Sequence, residues 1–216
     1  MEVSALERFL RAGDLDAAAV ARDLVVDLSA ADLERVARAV DGAEGPQARA
    51  NLLMHPSVLP AARRGEALES GLREGPRSYA ALAAAVGLDE VDVGDLGERR
   101  AGVVAALLDL VEADTGLVAT RAAAASFGLL TAPEAAEAVP LLVHPTAQVR
   151  RALLGAVLHA VGPTGLRAVL DSPGFADPDV TDEVRRAFEA DGFVLDDAVA
   201  PLPSLSFLPN LADWRG

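Results

Sequence analysis

Three histidines and two runs of carboxylates are the side chains in this sequence whose types could do chemistry. His55, His144 and His159 would become catalytic or metal-binding only by converging with carboxylates or a hydroxyl, and their spacing gives no sign of that. The densest acidic run is Asp89, Glu90, Asp92, Asp95 and Glu98. A hard cation such as calcium accepts oxygen ligands from such a loop, but the EF-hand order fails here. Asp177, Asp179, Asp182 and Glu183 open an expected helix, where negative charge is favoured, so capping explains them. No HExxH, GxSxG or GxGxxG signature is present. The chain also lacks lysine and cysteine altogether, which removes a Walker phosphate loop, a Schiff base, a thiolate nucleophile and a thiolate metal site. The sequence therefore predicts a protein with no catalytic residue, no cofactor and no metal. His55 and His144, each followed by proline, are expected to cap helix C-termini, where a donor meets free carbonyls.

Recognition chemistry is better represented. All 19 basic residues are arginine, and eight of them fall in doublets: Arg63 with Arg64, Arg99 with Arg100, Arg150 with Arg151, and Arg185 with Arg186. The separations are 36, 51 and 35 residues, and each doublet lies near the start of an apolar helix. Guanidinium forks in a row would suit carboxylates or phosphates. The competing reading pairs each arginine with acids of the adjoining turn. Phe207 and Trp214, in a proline-containing tail, complete the candidate partner-binding residues, since aromatics anchor interfaces.

The elements that must position these residues are helices. The chain has 216 residues, 51 % of them hydrophobic and 45 of them alanine, with no isoleucine and only 4 % aromatic. That alphabet favours helix, and no period-two run bounded by a hairpin dipeptide competes with it. Leu33, Val36, Ala37 and Val40 fall at helical spacing behind Ser29, a candidate N-cap with Asp32 three residues on. Val104, Leu107, Leu108 and Val111 repeat the pattern. Val149, Ala152, Leu153, Ala156, Val157 and Ala160 carry it over three turns, so this helix is expected to be central. Thr131, Pro133 and Glu134 mark another helix start. The expected helices are 3–11, 15–24, 30–40, 46–54, 59–72, 76–86, 98–113, 116–129, 133–143, 147–161, 165–170 and 179–191.

The segment Leu142, Val143, His144, Pro145, Thr146, Ala147, Gln148, Val149, Arg150, Arg151, Ala152 resembles the turn and second helix of a HEAT repeat. Asp177-Pro178-Asp179 leading to Val184-Arg185-Arg186-Ala187 resembles it too, and Leu53-Met54-His55-Pro56 echoes its turn. The resemblance is good over the C-terminal third and weaker from 50 to 113, and the first 45 residues match only as helices. It implies an all-α fold, a right-handed α-solenoid of HEAT-like hairpins with about 10–12 helices. On this reading 1–191 form one domain, with an irregular part at 1–45 and an insertion near 87–97. Residues 192–216 are expected to cap its last apolar face.

Such arrays mostly act as scaffolds, which makes a noncatalytic adaptor with a protein partner the first expectation and leaves self-association open. A nucleic-acid enzyme of base-excision type using the arginine row, and a structural subunit of a larger assembly, are the alternatives. A net charge of −14 repels polyphosphate, so nucleic acid is a poor first guess. The same acidity is read as a well-solvated surface, a salt-adapted host, or selection of a basic partner. The longest uncharged runs, 152–166 and 198–212, are too short to cross about 30 Å of hydrocarbon. Glu2, Glu7 and Arg8 interrupt the first apolar stretch, which does not fit a secretion signal, and a cytoplasmic location is expected.

Overall fold

The computed structural model describes residues 4–24 and 28–170, and every regular element among them is a helix. The expected helix at 179–191 and the tail 192–216 lie outside the described residues. No described helix is long and apolar enough to cross a membrane. The chain divides into two compact units, Met1–Ala106 and Leu107–Gly216.

The first unit starts with α1 (Ala5–Arg11), capped by Ser4, whose hydroxyl accepts the Glu7 N–H at 3.1 Å. It buries Leu6, Phe9 and Leu10. Next come α2 (Asp14–Asp23) and α3 (Ala30–Val40). Ser29 and Asp32 open α3 as the sequence predicts: the Ser29 hydroxyl accepts the Asp32 N–H at 3.2 Å, and the Asp32 carboxylate accepts the Ser29 N–H at 3.1 Å. The stripe expected on α3 is only partly buried. Val36 is inside, while Leu33 stands 41 % exposed. An ion-pair network runs along this side, with Arg35 reaching Glu7 and Glu44, and Arg38 also meeting Glu44.

Helix α4 (Pro46–Met54) places proline in its first turn, where a missing N–H costs nothing, and stops before Pro56. A 3-10 turn, Pro56–Val58, leads to α5 (Ala61–Leu72), then α6 (Tyr79–Gly87). Helix α4 is the hub of this unit, packing on α1, α3 and α6, while α5 packs on α6. Small residues make the close approach feasible. A Cβ on Gly71 would sit 2.9 Å from Leu53 Cδ1 and 3.0 Å from Ala84 Cβ, and one on Gly87 would run into the Leu53 carbonyl. Ala81, Ala83, Ala84 and Ala85 of α6 are all buried. A 3-10 turn, Leu88–Glu90, a single turn α7 (Val93–Leu96) and another 3-10 turn, Gly97–Arg99, follow. Where the sequence reads 87–97 as an insertion, the chain forms these short turns, and α7 packs on α5.

Helix α8 (Arg100–Ala113) buries Val103, Val104, Leu107 and Val111. The second unit continues with α9 (Leu117–Ala125), α10 (Ala132–Ala138), the 3-10 turn Val139–Val143 and α11 (Ala147–Leu170). Both α9 and α10 pack on α11. The expected central stripe is there: Val149, Ala152, Leu153, Ala156 and Val157 have no exposed surface. The two helices expected at 147–161 and 165–170 are joined in one run, interrupted at Gly162 by a left-handed φ of 68°.

Candidate functional site

Six of the candidate arginines lie among the described residues. Arg63 is about half exposed and pairs with Glu66 one turn on, at 3.2 Å. Arg64 turns inward. Its Nε donates to the carbonyls of Pro56 and Leu59, both at 3.1 Å, and its Nη1 meets the Asp95 carboxylate at 2.5 Å. Arg99 reaches Glu69 at 3.4 Å, and Glu69 also holds Arg73 at 2.9 Å. Arg100 opens α8. In the second unit, Arg150 Nη1 donates to the carbonyls of His144 at 2.8 Å and Pro145 at 3.1 Å, with Arg151 beside it on α11. Arg185, Arg186, Phe207 and Trp214 lie outside the described residues.

The two described His-Pro turns therefore share a device. In each, an arginine from the following helix folds back and donates to backbone carbonyls of the turn, Pro56 and Leu59 in the first, His144 and Pro145 in the second. A guanidinium held by two carbonyls has spent part of its fork on the fold, which favours the structural reading for Arg64 and Arg150.

The histidines diverge. His144 is buried and uses both ring nitrogens: Nε2 donates to the Asp114 carbonyl at 2.8 Å, just past the end of α8, and Nδ1 accepts the Thr146 N–H at 3.1 Å. It caps a helix C-terminus, though that of α8 rather than of the element before it. His55 does something else. Its Nδ1 lies 3.0 Å from the Glu90 carboxylate, and its ring stands edge-on to Phe9 with centroids 6.2 Å apart. His159 stacks at a tilt on Phe127, with centroids 4.6 Å apart. The acidic run is likewise divided, Glu90 to His55 and Asp95 to Arg64. Among the described residues no three metal-binding side chains gather.

What the structure does bring together is a cleft of about 440 Å³ in the first unit. Its walls are Ala61, Ala62, Gly65 and Glu66 of α5, Gly94, Asp95 and Leu96 of α7, and Gly97, Glu98 and Arg99 after it. Gly65 sets the spacing, because a Cβ there would lie 2.6 Å from the Leu96 carbonyl oxygen and 3.0 Å from Arg99 Cβ. The Arg64–Asp95 bridge ties the two walls from behind. Helix α5 enters with Pro60 at its N-cap, which has no side-chain group to offer the first N–H groups.

No family model, curated protein or solved structure matches this chain.

Of the described arginine candidates Arg99 alone lines the cleft, with Asp95 and Glu98 of the acidic run; Arg63 and Arg64 stand beside it through their pairs with Glu66 and Asp95, and Ala61, Ala62 and Leu96 are wall residues the sequence did not mark. The available signal was Gly65, the small residue that follows the Arg63-Arg64 doublet, where close approach of a neighbouring element is possible. What the cleft offers is shape, a floor of small residues and a charged rim of Glu66, Asp95, Glu98 and Arg99.

Proposed function

We propose that this chain is a noncatalytic interaction module of HEAT-like helical hairpins, stacked in the manner of a right-handed α-solenoid, and that it holds a protein partner in the cleft between α5 and α7. The observation that carries the reading is the cleft itself, whose wall is braced by the half-buried arm of Arg64 while its floor stays open. Hairpin stacking is supported by packing between alternate helices, α4 with α6 and α9 with α11, as well as between sequence neighbours α3 with α4 and α5 with α6. Binding sites need a rigid scaffold under a concave surface, and this arrangement supplies one. The nucleic-acid alternative gains nothing from the arginine doublets, because Arg64 and Arg150 are bonded to backbone carbonyls.

Gly94 gives a clean test. A Cβ there meets nothing within 4 Å and its backbone is unstrained, so Gly94→Trp fills the cleft while leaving the fold alone. Circular dichroism and the thermal midpoint check the fold; affinity capture from the source cells with both baits then compares what each retains. A protein kept by the wild type and lost by Gly94→Trp supports the reading. Equal recovery overturns the cleft as the docking surface.

A further inference from the structure

We infer that this cleft receives a basic, extended segment of a partner, seating an arginine or lysine side chain against Glu98 with an aliphatic neighbour on Val93. The inference rests on the cleft being the docking surface and adds the chemistry of what docks. Charge is the first discriminator. Arg63 pairs with Glu66 and Arg64 with Asp95, while Arg73 and Arg99 share the single charge of Glu69. Two carboxylates stay outside these pairs. Glu98 on the wall and Asp92 before α7 are exposed and form no ion pair among the described residues. The walls themselves hold three carboxylates, Glu66, Asp95 and Glu98, against one guanidinium, Arg99, and the whole chain at −14 extends that sign outward, which steers cations in and turns acidic segments away.

Shape selects further. The floor of Ala61, Ala62, Gly65 and Gly94 presents no large side chain, so the methylene stem of an arginine or lysine can lie along it with its charged head at the rim. Val93, next to Gly94, is 44 % exposed and offers an apolar contact for the adjoining residue. An acidic peptide would face three wall carboxylates and a single guanidinium, Arg99, already bonded to Glu69, and a phosphate backbone meets the same objection.

The test uses the full ¹⁵N-labelled chain and two capped pentapeptides, Ac-Leu-Arg-Leu-Arg-Leu-NH₂ and its Glu-for-Arg counterpart, followed by amide shifts. The Arg peptide is expected to give saturable shifts at Gly65, Gly94 and Gly97, and the Glu peptide none. Glu98→Arg should weaken binding about fivefold, as reversal of one partly exposed ion pair does, and Glu98→Gln about twofold. Glu137→Arg, an exposed reversal on α10, should leave it unchanged. Equal shifts from the Glu peptide, or an equal loss with Glu137→Arg, overturn the inference. If neither peptide shifts the cleft amides while Gly94→Trp still loses a captured partner, the basic-segment inference falls and the docking surface stands. If Gly94→Trp also retains every partner, both fall.

Discussion

Asn51 is completely buried, yet all its bonds are made. Its amide nitrogen donates to the carbonyls of Phe9 at 2.8 Å and Ala12 at 3.0 Å, closing the C-terminal end of α1, and its oxygen accepts from Gln47 at 3.0 Å. Asn51→Ala would remove a donor from each carbonyl, leaving that of Phe9 with the Ala12 N–H alone, so a loss of about 1–3 kcal/mol is expected, read as a lower urea midpoint at unchanged slope. Nothing local announces this role, because its carbonyl partners are 42 and 39 residues away. Glu44 gives the pH counterpart. The hydrogen bond from Arg38, with the charge of Arg35 close by, holds its carboxyl below the ordinary glutamate value. A lowered folded value means the contribution is present above that ordinary value and is lost as the pH falls through the folded one. Glu44→Gln should therefore lower the thermal midpoint slightly at neutral pH, with the gap to the wild type closing as the pH falls below the ordinary glutamate value.

At the scale of elements, the residues that legislate helix ends were mostly legible. Ser29 with Asp32 opens α3 and Pro46 opens α4 at the residues expected, because a cap is decided within four positions. Helix α6 is instructive in the other direction. The sequence puts its start at Pro76, but Gly75 turns left-handed at φ 89° and Ser78 becomes the cap, its hydroxyl accepting the Ala80 N–H and donating to Glu74 at 2.6 Å. Close packing of α6 on α4 leads to an ordering that circular dichroism melts can check. Ser29→Ala removes one exposed cap and should cost about 1 kcal/mol. Gly87→Ala drives a methyl into the Leu53 carbonyl, so α6 must shift away from α4 and bury its alanines less well. It is expected to cost more, about 2–3 kcal/mol, and a melt in which Gly87→Ala matches the wild type would refute the close approach.

For the molecule as a whole, two electrostatic effects compete. Surface ion pairs such as Arg11 with Glu7 and Arg63 with Glu66 weaken as salt rises, but each is worth well under about 1 kcal/mol. Self-repulsion at a net charge of −14 is screened at the same time, and it acts on every acidic group at once. Screening should win, so the thermal midpoint is expected to rise between low salt and about 0.5 M sodium chloride, where the Debye length falls below about 10 Å; a fall would show that the pairs matter more. Among the described residues, the sequence alone determined that every regular element is a helix, where the strongest helix ends fall, and that 149–157 is a core segment, because propensity, caps and a 3.6-residue stripe are all read within one or two turns. Only the tertiary structure decided that Arg64 and Arg150 serve the His-Pro turns, that His55 and His144 part ways, and that glycines at 65 and 94 face a common cleft. Those outcomes depend on which surfaces meet across tens of residues, where apolar burial is non-directional and the fit of small side chains selects the partner.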